Sequence, residues 1–222
     1  MSTTLDARLE ALRQKYGKML KPELAEKMER HIAQLRADGS LDRVLKAGAK
    51  APAFSLRDQD GNLVSSADLL AQGPLVVSFY RGTWCPYCNE EIAALAAENA
   101  ALKDAGASLV AITPQSRENA SGYRGEHPVP FPILVDPDAK TAEAFGLAYT
   151  MPNYLSELYK NVFSNDLAVV NEAGTWRLPI PARFVIAQDS TIVDVQADAD
   201  YRYRPEPSAT VATVRGLTAA AR

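Results

Sequence analysis

"RGTWCPYCNEE", residues 81–91, holds both cysteines of the chain, Cys85 and Cys88, with Pro86 and Tyr87 between them. The stretch before it, "PLVVSFY" (74–80), is a nearly continuous apolar run, as expected of a strand buried on both faces. The stretch after it, 86–105, is rich in Ala and Glu, is anchored by Ile92, Leu95 and Leu102, and stops at Gly106, which reads as a helix. The pair therefore lies at a strand-to-helix junction. Cys85 stands at the N-terminal end of the helix, and Pro86 takes the first helical position, where a missing N–H costs nothing. Unpaired N–H groups and the helix dipole favour a negative charge there, so the Cys85 thiol is expected to ionise readily. A thiolate is the nucleophile of disulfide exchange and of attack on peroxides. Cys88 is one turn further in, close enough for its sulfur to meet that of Cys85.

Working outward, "SLVAIT" (108–113) and "FPILVD" (131–136) read as further buried strands, with helices over 116–126 and about 138–146. "FSLRDQDGNLVSS" carries a hairpin turn at Asp60–Gly61, and "ARFVIA" with "TIVDVQAD" forms a second hairpin turning at Asp189–Ser190. A helix from Ser208 to Ala221 closes the chain, and 147–180 reads as irregular. Before the linker "KAGAKAPAF" (46–54), Leu5, Leu9, Leu12, Tyr16 and Met19 and then Leu24, Met28, Ile32 and Leu35 recur at helical spacing. These two helices either pack on the main body or form a dimer contact, since an amphipathic stripe does not say whose core it joins. The expected organisation is an N-terminal helical extension (1–45) followed by an α/β domain (46–222), a central mixed sheet flanked by helices.

The 222 residues are 47% hydrophobic and 23% charged, ordinary for a globular protein, and the net charge of −3 gives no reason to expect nucleic acid or an anionic membrane as partner. "MSTTLDARLEALRQKYGKML" has no apolar segment of the secretory kind, and no stretch approaches the roughly 20 apolar residues of a membrane span. A soluble, cytoplasmic protein is expected. In a reducing compartment a close cysteine pair is redox-active or metal-binding rather than structural. Zinc needs four ligands, and neither His31 nor His127 stands at finger-like spacing from the pair, so redox chemistry without a metal is expected. No Gly-rich phosphate loop is present, and no cofactor is implied.

"FYRGTWCPYCNEEIAAL" (79–95) resembles the active-site segment of the thioredoxin superfamily. From about Ala49 onward the chain is similar to the alkyl hydroperoxide reductase/thiol-specific antioxidant (AhpC/TSA) family, in its peroxiredoxin-like branch carrying C-x-x-C. "KAPAFSLRDQDGNLVS" (50–65) and "LPIPARFVIAQDSTIVDVQADADYRYRPEP" (178–207) share the likeness. The resemblance implies a thioredoxin fold, a hydroperoxide substrate, and recycling by thioredoxin or a glutathione-linked donor such as glutaredoxin. A homodimer would suit the family. Cys85 would become a sulfenic acid, and Cys88 would condense with it to a disulfide.

The resemblance also implies roles for neighbouring residues. Thr83, Arg81 and Arg183 would hydrogen-bond the thiolate and the peroxide oxygens. Thr83 stands two residues before Cys85 where the family has three, and Arg81–Gly82 replaces the usual Pro. Arg183 comes two residues later than the family's arginine, because Pro181 occupies that place. Pro181 resembles the cis-Pro that faces C-x-x-C in thioredoxins, where a cis bond would be a functional feature; the other reading is an ordinary trans Pro at a strand entrance. Trp84, Pro86 and Pro181 would then meet substrate or partner.

The bland readings stand beside these. Trp84 is equally a packing aromatic, Arg81 a solvated strand-end charge, and Glu91 a first-turn residue favoured by the dipole rather than a proton shuttle. "DYRYRPEP" (200–207) either frames the mouth of a site or coats a surface strand. Two other functions fit the same pair: thiol–disulfide exchange on protein or glutathione mixed disulfides, and non-catalytic redox sensing.

Overall fold

Residues of the buried strands alternate between two apolar layers, and that alternation organises the chain. The computed structural model describes residues 3–127 and 129–220. Helices α1 (Leu5–Met19) and α2 (Pro22–Ala37) precede the hairpin β1 (Ser55–Asp58) and β2 (Leu63–Ser65), followed by α3 (Ser66–Gln72) and β3 (Leu75–Phe79). Then come α4 (Pro86–Asp104), β4 (Ser108–Thr113), α5 (Arg117–Glu126), β5 (Ile133–Val135), a 3-10 turn (Pro137–Ala139) and α6 (Lys140–Ala144). The chain ends with β6 (Ala148–Thr150), α7 (Asn153–Asn161), α8 (Leu167–Val170), β7 (Arg177–Pro179), β8 (Ala182–Ile186), β9 (Ile192–Ala197) and α9 (Pro207–Ala220). No helix among the described residues is long and apolar enough to cross a membrane.

The main sheet runs β2-β1-β5-β4-β3-β8-β9, with β6 and β7 paired separately. The pairs β3–β4 and β4–β5 are parallel, and β8 returns antiparallel to β3. Val76, Leu109, Ala111, Ile133 and Val185 face one layer, with Ile92 and Leu95 of α4 and Val211 and Val214 of α9. Their strand neighbours Leu75, Val77, Phe79, Val110, Leu134 and Phe184 face the other, with Leu70 and Phe145. This is the thioredoxin fold expected, with β3 inside the sheet, between β4 and β8, leading into the loop that carries Cys85.

The N-terminal stripe joins this chain's own core. Leu5 and Leu9 are buried in the layer of α4, and Ile32 and Leu35 are buried as well. Met19 departs from the pattern and is 67% exposed, because the helix ends there and turns its last residue outward. Residues 147–180 also differ from expectation. They build β6, α7, α8 and β7 around Met151, Leu155, Leu158 and Leu167, with Trp176 packed alongside. Short elements with few apolar repeats carry little periodicity, which is why the sequence pattern hid them.

Gly146 ties the linker after α2 to this body. Its φ of +77° ends α6, with the Leu147 N–H donating to the Ala142 carbonyl at 2.8 Å. A Cβ at Gly146 would drive into the Arg43 carbonyl, and the Leu45 N–H donates to the Phe145 carbonyl beside it at 3.2 Å. Gly146→Ala therefore combines backbone strain with a backbone clash and is expected to cost about 3 kcal/mol or more. A shift in the urea midpoint worth less than about 1 kcal/mol would show that the linker yields.

Candidate active site

The six residues between β3 and α4, 80–85, set the site. Gly82 takes a φ of +146°, and a Cβ there would collide with the Trp84 indole nitrogen. The Cys85 N–H donates to the Gly82 carbonyl at 3.1 Å, closing the loop into a turn. Asn89 holds it from the helix side: its N–H donates to the Cys85 carbonyl (3.1 Å) and its Nδ2 to the Thr83 carbonyl (2.8 Å). Cys85 is the N-cap of α4 and Pro86 its first helical residue, as expected. Both cysteines are reduced and fully buried.

Arg81 decides the electrostatics. Its Nη2 donates to the Cys85 Sγ at 3.0 Å and its Nη1 to the Tyr159 hydroxyl at 3.3 Å. The guanidinium lies 3.7 Å from the Tyr201 ring centroid and 4.9 Å from that of Trp84. Arg81 is only 3% exposed, and among the described residues no carboxylate forms an ion pair with it. A buried cation without an anion is penalised by several kcal/mol, so the site favours the thiolate form of Cys85. Burial alone would raise the Cys85 thiol. The hydrogen bond from Cys88 and the charges of Arg81 and Arg204 outweigh it and hold Cys85 well below the ordinary thiol range. Cys88 moves the other way: burial, its hydrogen bond to Cys85 and the negative charge there push it well up, so it stays protonated. One pair thus contains a nucleophile and a proton-bearing thiol.

Behind Cys88 lies a second buried charge cluster. Arg204 Nη2 is 3.5 Å from the Cys88 Sγ, and its Nε pairs with one Glu91 oxygen. Arg183 pairs with the other Glu91 oxygen at 2.7 Å and donates to the Thr210 hydroxyl at 3.0 Å. Glu91 is 1% exposed and stands beyond the first turn of α4, so it is not the first-turn residue expected.

Three expectations are corrected here. Arg183 does not reach the thiolate; two residues of strand are about 7 Å, which carries it past the α4 terminus to Glu91. Thr83 does not face Cys85 either. The tight turn at Gly82 points its hydroxyl and its N–H at the Gln115 Oε1, at 3.1 and 2.8 Å. The Ile180–Pro181 bond is trans, and Pro181 lines a recess beside Glu91 and Arg204 rather than the cleft of Cys85. That cleft, of about 550 Å³, is lined by Cys85, Arg81, Trp84 and Pro86. Trp84 packs edge-on against Tyr159, with ring centroids 5.5 Å apart.

The pattern of residues missed Tyr159, in the segment read as irregular, and the grip of Arg204 on Cys88. The alternating "DYRYRPEP" was the one signal for Tyr201 and Arg204. It is not a strand; it folds over the site and brings Tyr201 onto Arg81.

A model of the AhpC/TSA family matches residues 47–195. The chain belongs to the AhpC/TSA family. A Mycobacterium tuberculosis relative carrying the peroxiredoxin name is 33% identical over 130 residues, 59% of this chain and 81% of the relative. Peroxiredoxin Bcp of Escherichia coli is 36% identical over 103 residues, 46% of this chain and 65% of the relative. Among solved structures, peroxidoxin BcpB of Mycobacterium tuberculosis superimposes with a TM-score of 0.61 at 22% identity, covering 78% of this chain and 98% of that one. The AhpC/TSA match leaves out α1, α2, Tyr201 and Arg204, all of which stand at or around the cysteine pair.

The Arg81–Cys85 pairing sets a pH dependence. A thiol held well below its ordinary value keeps its thiolate to lower pH than a free cysteine does, and becomes protonated as pH falls through the lowered value. Alkylation of wild-type Cys85 by iodoacetamide is therefore expected to be level across neutral pH and to decline only in acid. In Arg81→Met the inflection should move up toward about 8.5, and the rate at neutral pH should fall by about tenfold or more. An unmoved inflection would show that Arg81 does not stabilise the thiolate.

Proposed function

We propose that the chain is a thiol peroxidase in which Cys85 attacks a hydroperoxide and Cys88 resolves the product. The peroxiredoxin relatives support the peroxidase activity, and the observation that carries the residue roles is the Arg81 guanidinium 3.0 Å from the Cys85 sulfur. Cys85 thiolate attacks the terminal oxygen of R–O–O–H. An S–O bond forms, the O–O bond breaks, and RO⁻ leaves and takes up a proton to become ROH. Arg81, already donating to the sulfur, is placed to stabilise negative charge that moves onto the departing oxygen.

Cys88 then attacks the Cys85 sulfenic acid. The S–S bond forms, the S–O bond breaks, and the hydroxide accepts the Cys88 proton and leaves as water. Arg204, held by Glu91, steadies Cys88 as its sulfur gives up that proton. Two electrons must return through a dithiol donor, thioredoxin or a glutathione-linked glutaredoxin, which reduces the disulfide by exchange. Pro181, trans and away from the cleft, lends no support to the alternative of a thioredoxin-like disulfide exchanger.

The test is rapid mixing of the reduced protein with hydrogen peroxide and with cumene hydroperoxide, followed by Trp fluorescence, because Trp84 adjoins the sulfur. Oxidation by at least one peroxide should exceed that of free cysteine by about a hundredfold or more. Cys85→Ser should abolish it, and Cys88→Ser should halt at a sulfenic acid that dimedone traps. If neither peroxide reacts faster than with free cysteine, the peroxidase reading is wrong.

A further inference from the structure

When the O–O bond of a peroxide breaks, the leaving oxygen departs as RO⁻ and needs a proton. Cys85 has none to give, because it attacks as a thiolate, and the Cys88 proton is consumed when the disulfide forms. Thr83, which the likeness to peroxiredoxins placed beside the peroxide, points its hydroxyl at Gln115 instead. An arginine does not release a proton near neutral pH. The acid must therefore be another group on the wall of the cleft.

Tyr159 of α7 stands in that place. Its oxygen accepts from Arg81 Nη1 at 3.3 Å, while the other terminal nitrogen of the same guanidinium donates to the Cys85 sulfur at 3.0 Å. One planar fork thus holds the nucleophile and the hydroxyl side by side. Because the oxygen is already an acceptor, its own O–H points elsewhere, and among the described residues it donates to no acceptor. Tyr159 is 5% exposed and lines the cleft together with Cys85 and Arg81. A buried O–H without an acceptor costs free energy that a bound peroxide oxygen would offset. Burial holds the hydroxyl above its ordinary value against the charge of Arg81, so it keeps its proton at neutral pH. Nearby hydroxyls are placed otherwise. Tyr201 turns its oxygen to the Met28 sulfur at 4.0 Å, and Tyr149, also near Arg81, does not line the cleft.

We infer that Tyr159 is the proton donor to the leaving oxygen, a catalytic residue additional to the cysteines and Arg81. The inference rests on the peroxidase reading and adds the acid to it. The Cys85 thiolate forms an S–O bond with the terminal oxygen, the O–O bond breaks, and RO⁻ takes the phenolic proton and leaves as ROH. Cys85 is then a neutral sulfenic acid, and the tyrosinate replaces it as the anion facing Arg81, so the buried cation keeps a counter-charge throughout. The tyrosinate regains a proton from solvent, which reaches the cleft at its exposed Glu29 edge.

The experiment compares hydrogen peroxide with peracetic acid as oxidants of the reduced full chain, in wild type and Tyr159→Phe, by the second-order phase of Trp fluorescence. Hydroxide leaving from the first needs a proton, whereas acetate leaving from the second is stable as an anion at neutral pH. Tyr159→Phe keeps the ring that packs on Trp84 and removes only the oxygen. It should slow the hydrogen peroxide reaction about a hundredfold and leave the peracetic acid reaction nearly unchanged, so the ratio of the two rate constants falls about a hundredfold. Alkylation of Cys85 by iodoacetamide, whose leaving iodide needs no proton, should keep its rate and its inflection. In the wild type itself, heavy water should slow hydrogen peroxide more than peracetic acid, and equal slowing overturns the inference. A folded variant, checked by circular dichroism, that loses both oxidations and alkylation equally shows Tyr159 only holding Arg81 in place; one that loses neither oxidation shows no role. Either result overturns the inference and leaves the peroxidase reading standing. If the wild type reacts with hydrogen peroxide no faster than free cysteine does, the peroxidase reading fails and the acid assigned to it falls as well.

Discussion

A guanidinium stripped of water must find an anion, and in this protein the anion supplied to Arg81 is a cysteine sulfur. The surrounding structure serves that pairing. Tyr201 and Trp84 offer ring faces to the cation, Tyr159 accepts one of its hydrogen bonds, and together they shut out the water that would screen the charges. The helix dipole at the start of α4 acts in the same direction, but the ion pair at 3.0 Å is the stronger and more specific term.

Cys85 and Cys88 differ by three residues and by opposite shifts in acidity. The asymmetry is positional. Cys85 sits at the open end of the helix, facing Arg81; Cys88 sits inside the first turn, facing a thiolate. Arg204 stands beside Cys88, but Glu91 neutralises much of its charge and is in turn shared with Arg183. Removing one member of such a buried cluster leaves an uncompensated charge, so Arg183 and Glu91 matter to the site although neither touches Cys85.

The thioredoxin-type sheet alone would leave the pair more open. Two additions change that. Helix α1 settles on α4 through Leu5 and Leu9, α2 packs against α7, and the two bring Tyr16 and Met28 to the cleft. The segment between β6 and β7 forms its own small apolar cluster and delivers Tyr159. The cysteine pair and Arg81 lie within the AhpC/TSA match, and the shape of their approach is made jointly by the segment between β6 and β7 inside that match and by α1, α2 and Tyr201 outside it.

The amino-acid sequence by itself determined the central sheet and the place of the cysteine pair. Both depend on local rules: alternation along buried strands, a proline at the first helical position, and glycines at the turns. Arg81 beside Cys85 was also legible, because four residues across a tight turn leave few geometries. Tertiary structure decided the rest. Arg183 is only two residues from the expected position, yet that offset along a strand moved it from the thiolate to Glu91. Thr83 was turned away by a glycine φ that no spacing rule encodes. Arg204, Tyr201 and Tyr159 lie more than seventy positions from Cys85 in the chain, on segments without strong periodicity. Their approach to the sulfurs exists only once helices and sheet have packed, since long-range contacts are set by the burial of whole faces and not by any local pattern.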